Sequence, residues 1–132
     1  MLARLSRLFL SAIVVIPLLL GAGCSKKPPS GGDTIPPEAK KEAEELFATR
    51  CMTCHGPQGH GDGPASAGLT PRPRNFSDKT WQAGVTDAHL ENIIQFGGVA
   101  VGKSPTMPPN PDLISKPAVV KALRAHIRTL GK

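Results

Sequence analysis

The 132-residue sequence has no tyrosine, one tryptophan and four phenylalanines. Its 16 Lys and Arg residues are scattered and form no basic stripe interleaved with aromatics, which excludes nucleic acid as a partner. No period-two alternation lasts long enough for a strand, and no βαβ pattern occurs. The length leaves room for about one domain. One long apolar run exists, Leu8 to Leu20, and it is shorter than the ~20 residues a spanning helix needs. Within 38–132, fewer than one residue in five is Leu, Ile, Val or Phe. A small domain this lean is marginal on its own core and calls for a disulfide, a metal or a cofactor.

Arg4 and Arg7 stand before the apolar run with no acidic residue ahead of it, the arrangement of a secretory signal over 1–23. The alternative is an uncleaved membrane anchor. Cleavage would remove both arginines and shrink the formal charge of +6 to a mild basicity. The run Leu19-Leu20-Gly21-Ala22-Gly23-Cys24 resembles the lipid-acceptor cysteine of a bacterial lipoprotein signal, with Gly21 where that pattern usually carries Leu, Val or Ile. Ordinary cleavage would instead leave Cys24 as a terminal free thiol. Residues 24–37 have one bulky apolar side chain, Ile35, among Pro, Gly and Ser, and read as a tether. The expected location is the periplasmic side of a bacterial membrane, with Cys24 as the anchor.

Cys51, Cys54 and His55 stand together as CMTCH, the C-x-x-C-H spacing of covalent c-type haem attachment. Two thiols three residues apart can form thioethers to the vinyl groups on one edge of a single haem, and the adjacent histidine can then bind the iron. A redox C-x-x-C pair would call for a βαβ setting, and a zinc site for two further ligands at finger-like spacing. Neither is present in the sequence.

Three helices are predicted in 38–132. The first runs from about Pro37 to Arg50, with acidic residues toward its N-terminal half and an apolar stripe of Ala39, Ala43, Leu46 and Phe47 continuing to Cys51. The second follows Thr86 as N-cap, with Val85 and Leu90 spaced as a hydrophobic staple, and stops at Gly97-Gly98. The third runs from about Lys116 to Leu130, with Val119, Val120, Leu123, Ile127 and Leu130 on one face and Gly131 as its cap. The expected class is all-α, helices wrapped round one haem, with Gly/Pro-rich loops between them.

A second axial ligand must come from His60, His89, His126, Met52 or Met107. Met52 lies inside the C-x-x-C and cannot reach across the ring, and His60 follows His55 too closely. His89 and His126 fall on helices, where a packing or surface role is the ordinary one. Met107 lies in Ser104-Pro105-Thr106-Met107-Pro108-Pro109, a proline-stiffened segment that can present a thioether with little loop entropy to lose. Met107 is therefore the expected ligand, although a lone Met is usually core filler. The glycines of GHGDGP lack a preceding strand and a following Lys-Ser/Thr, so a phosphate loop is not expected there. They suit sharp turns close to the haem.

From Pro37 to Leu130 the chain resembles the class I cytochromes c, on the combination of CMTCH after a first helix and Met107-Pro108 after a mid-chain helix. Phe47 matches the aromatic by which that family's first helix packs on its last, and Ala43 stands where a close-contact Gly is common. His126 departs from the family, which often has an aromatic such as Tyr facing the first helix. Gly63-Pro64-Ala65-Ser66-Ala67-Gly68-Leu69 resembles the family's G-P-x-x-x-G-L loop, and so implies that the Pro64 carbonyl accepts from the haem histidine. The resemblance also implies propionate contacts at Arg72 and Trp81.

With His55 and Met107 on both axial positions no iron site is open to substrate, which points to single-electron transfer at high potential rather than enzymatic turnover. The expected partners are redox proteins acting as donor and acceptor, met through Lys79 and Lys103, with no small-molecule substrate. Alternatives are a permanent subunit of a larger membrane oxidoreductase complex, and a haem sensor or peroxidase with a labile Met107.

Overall fold

The computed structural model describes residues 34–132. The expected signal over 1–23, Cys24 and the tether as far as residue 33 lie outside them.

Helix α1 spans Pro37–Leu46, with proline in its first turn, where the missing N–H costs nothing, and Glu38 beside the positive end of the helix dipole. It does not end near Arg50 as expected. It runs through a π-helical turn, Phe47–Cys51, directly into α2, Met52–His55. At the junction the Met52 N–H reaches back five residues to the Phe47 carbonyl. Such one-turn bulges occur mostly inside α-helices, frequently at functional sites. Here the bulge lies between the buried Phe47 and the CMTCH turn, so one continuous helical run carries both the core contact and the motif. Gly56 ends the run with φ 77.

Helix α3, Lys79–Gly84, was not anticipated. Asp78 caps it, its side chain accepting from the Trp81 N–H. At six residues it is too short to persist alone, and tertiary contacts hold it. Arg128 donates to the carbonyls of Gln82 and Val85 at 2.7 Å each, filling acceptors left open at its C-terminus.

Helix α4, Asp87–Phe96, begins as expected, with the Thr86 hydroxyl accepting from the His89 N–H, and ends at Gly97 with φ 75. Helix α5 spans Pro117–Thr129. Gly131 is not its cap: Leu130 closes the helix in right-handed conformation, and Gly131 is absent from the glycines with positive φ. Its value is steric, because a Cβ there would lie 2.6 Å from the Gln82 side chain.

The core forms where α1 and α4 meet α5. Ala39, Ala43 and Phe47 face Val119, Val120, Ala122, Leu123 and Ile127, with Leu90, Ile94 and Leu113 closing the cluster. Ala43, 1% exposed, keeps α1 close to α5. The His126 ring lies 4.4 Å from that of Phe47, so the departure at this position still gives a ring-to-ring contact between first and last helix. Asp87 and Glu91 of α4 pair with Arg124 of α5, and Asp87 also with Arg128. Among the described residues there is no strand, and no helix is long and apolar enough to cross a membrane.

Candidate haem-binding site

The helices leave a cavity of about 460 Å³, inside the range of small-molecule and cofactor sites. Cys51, Cys54, His55 and Met107 all line it, together with Leu90, Ile93 and Ile94 of α4. Arg72 and Trp81 also reach its wall, as does His89, which is thus a cavity residue rather than a plain surface histidine. His60 is exposed, 3.9 Å from Asp62, and His126 packs against Phe47.

The side of the cavity built on CMTCH is held by backbone folding back on the motif. Gly61 N–H donates to the His55 carbonyl at 2.8 Å and Gly63 N–H to the Cys54 carbonyl at 3.1 Å. Gly59 and Gly61 turn the chain as expected, with φ 69 and 77, and they also allow close contact. A Cβ on Gly59 would lie 2.8 Å from the Phe76 ring, and one on Gly61 would meet the Pro73 carbonyl. The segment Pro73 to Phe76 thus lies directly on the motif loop.

That segment supplies the histidine's partner. His55 Nδ1 lies 3.1 Å from the Arg74 carbonyl oxygen. A carbonyl only accepts, so Nδ1 carries the proton and Nε2 keeps its lone pair for a metal. The expectation for Pro64 is corrected here: it is exposed and opens a short 3₁₀ turn, Pro64–Ser66, while the accepting carbonyl is that of Arg74. The loop after Gly68 returns the chain to the histidine, and this return, not the G-P-x-x-x-G-L turn, brings a carbonyl to Nδ1. Phe76 stacks on the imidazole at 4.3 Å and 16°. Burial keeps the His55 pKa below its ordinary value, partly offset by the Arg74 bond, so the ring is neutral at pH 7. Burial likewise pushes the Cys51 thiol up to about 11 against the pull of Arg50.

The Met107 side is built from backbone. Gly98 N–H donates to the Met107 carbonyl at 3.0 Å. A Cβ on Gly97 would lie 2.8 Å from that carbonyl and from the Pro109 nitrogen. The glycine pair that stops α4 is thus also the seat of the methionine loop. Asn110 ties the loop's far end: its N–H donates to the Gln95 carbonyl at 2.9 Å and its Nδ2 to the Ile94 carbonyl at 2.8 Å. Arg50 donates to Asn110 Oδ1 at 3.2 Å and to the Asp112 carboxylate at 3.0 Å. The roles of Arg74, Phe76 and Asn110 were missed in the sequence. Only Asp78-Lys79-Thr80-Trp81, an N-cap followed by a large side chain, hinted at local order there.

The donor set fits haem c. Two thiols sit on the wall of one largely apolar cavity with a neutral imidazole, its Nδ1 already committed, and a thioether on a pinned loop.

The comparisons agree with this geometry. The sequence profile of the family described as Cytochrome c matches residues 41–131. Over 102 residues the chain is 36% identical to the protein named Cbb3-type cytochrome c oxidase subunit FixP of Azorhizobium caulinodans. That alignment covers 76% of this chain and 29% of the relative, so the chain spans less than a third of the relative's length. The chain therefore belongs to the cytochrome c family as an all-α class I c-type cytochrome, with one haem c bound covalently through Cys51 and Cys54.

Proposed function

We propose that this cytochrome is an electron carrier of a periplasmic respiratory chain, in which His55 and Met107 would hold the haem iron and Cys24 would carry a lipid anchor. The observation that carries the reading is the single cavity lined by Cys51, Cys54, His55 and Met107. Bound haem supplies a one-electron couple between Fe(II) and Fe(III). His55 offers Nε2 because Nδ1 is occupied, and the Gly98 and Asn110 contacts hold the Met107 thioether at the cavity wall. The apolar walls disfavour added charge, and with a His/Met pair they favour a high potential. Arg72 and Trp81, at the rim, are suited to the haem propionates. Lys79 and Lys103 are exposed, Lys103 at the cavity mouth, and would meet an acidic patch on a redox partner.

The absorbance spectrum of the oxidised protein tests the ligand pair. A weak far-red band from Met-to-Fe(III) charge transfer is expected, and it should vanish in Met107→Ala. Absence of that band in the unaltered protein sinks the assignment. Partner transfer rates should fall as salt rises, because exposed charges are screened beyond about 8 Å at physiological ionic strength.

A second reading, a fixed subunit of a larger membrane oxidoreductase complex, draws support from the 36% identity to a protein named as an oxidase subunit. Purification of the full chain from its source membrane in mild detergent separates the two. Release as a monomer supports the carrier, and constant association with a large complex supports the subunit.

A further inference from the structure

The surroundings of His55 contain a device that the motif does not announce. Asp78 uses both carboxylate oxygens. Oδ1 accepts from the Trp81 N–H at 3.0 Å and starts α3, while Oδ2 accepts from Arg74 Nη2 at 2.7 Å. The Arg74 guanidinium also lies 5.2 Å from the Trp81 ring centre, the distance of a cation–π contact. Arg74 is thus gripped at its side chain while its own carbonyl receives His55 Nδ1 at 3.1 Å. Between the two, Phe76 lies on the imidazole at 4.3 Å, its N–H bonded to the Gly59 carbonyl at 2.6 Å and its carbonyl taken by Gln82 Nε2 at 2.8 Å.

We infer that Asp78 and Arg74 are positioning residues that set the protein's reduction potential by fixing the carbonyl to which His55 Nδ1 donates. The inference rests on His55 as an axial ligand. A firm bond at Nδ1 raises the basicity of the imidazole at Nε2, which stabilises the ferric form and lowers the potential. If the clamp at the guanidinium is released, the Phe76 bonds still hold the segment but the Arg74 carbonyl loses its fixed orientation, the bond to Nδ1 weakens and the potential rises.

The two partners carry opposite charges, and this makes the test discriminating. Taken as charges alone, Asp78→Asn would raise the potential and Arg74→Ala would lower it. Positioning requires both to raise it, because both release the same carbonyl. Asn remains a good N-cap, so Asp78→Asn leaves α3 capped. Equilibrium redox titration of the purified holoprotein should show both substitutions shifting the Fe(III)/Fe(II) equilibrium toward Fe(II) by up to about tenfold, the low end of the range for outer-shell changes. For one electron that is about 59 mV. Proton NMR of the reduced protein should show the His55 Nδ1 proton exchanging faster with solvent in both variants, a readout that charge alone does not move. Arg74→Lys, which keeps a cation opposite Asp78, should stay near the unaltered protein. Shifts of opposite sign, or unchanged potential and exchange in both variants, overturn the inference. The far-red band should persist in all three variants, so its loss would indict the His/Met ligand pair and not the clamp.

Discussion

The two sides of the cavity are built on different plans. His55 is buried at 9% exposure, carried on a helix, flanked by the attachment cysteines, stacked by Phe76 and bonded to Arg74. Met107 is half-buried on a loop held by backbone bonds from Gly98 N–H to its carbonyl and from its own N–H to the Ser104 carbonyl, and by the anchoring of Asn110 three residues on. The histidine side is redundant, so losing one contact leaves others. The methionine side depends on close backbone approach, so one methyl group at the wrong place displaces it. Stability should therefore be concentrated on the first side, and the position of Met107 should be fragile on the second.

Phe76→Ala should have the largest effect. It empties a site in contact with His55 and Trp81, and truncating a buried Phe costs about 3–5 kcal/mol. A fall in melting temperature of at least about 12 °C is expected by calorimetry, with the far-red band retained below the transition. Gly97→Ala should give the reverse pattern. The residue sits at φ 75 against the Met107 carbonyl, so strain and overpacking of about 1–3 kcal/mol fall on the methionine loop. The band should weaken or disappear with a smaller drop in melting temperature. If Gly97→Ala keeps the band while Phe76→Ala abolishes it in folded protein, the contrast between the two sides is wrong.

Asn110→Ala should lie between these and the surface. It leaves the Ile94 carbonyl without its side-chain donor and removes one of the Arg50 bonds, while Arg50 keeps Asp112, at a cost of about 1–2 kcal/mol. Carbon monoxide binding to the reduced protein should become measurable before stability falls far, because the loop end is released. The smallest effect belongs to Asp87, which does not line the cavity that holds His55 and Met107. Bonds to Arg128 hold its carboxyl below the ordinary carboxylate value. A depressed folded pKa means the stabilisation is present above the unfolded value and is lost as pH falls through the folded one. Denaturant titrations between about pH 5 and pH 3 should show Asp87→Asn with a shallower acid decline, by roughly 0.5–1 kcal/mol given its exposure. An equal decline in both proteins removes Asp87 from the acid response.

The legibility of these features follows the same division. The starts of α1 and α4 and the apolar faces of α1 and α5 could be read directly, because caps, dipole charges and helical spacing act over a few residues. The attachment motif was readable for the same reason. The short helix α3 was not, since its C-terminal carbonyls are filled by Arg128, far along the chain. Gly97-Gly98 was legible as a helix stop but not as the seat of Met107. Pro64 was assigned from a loop that matches the family's pattern, whereas the bond goes to a carbonyl ten residues later.

By itself, the sequence determined which atoms carry the haem and where most helices begin. Covalent attachment, capping and periodicity are local, and neighbouring residues suffice to encode them. The tertiary structure decided which carbonyl meets His55, what seats the Met107 loop, why glycine occupies 131, and that 59, 61 and 97, already turning positions, also leave no room for a Cβ. Each of these depends on two distant segments approaching to within a van der Waals radius, and a gap of that size is set by packing rather than by any neighbouring letter.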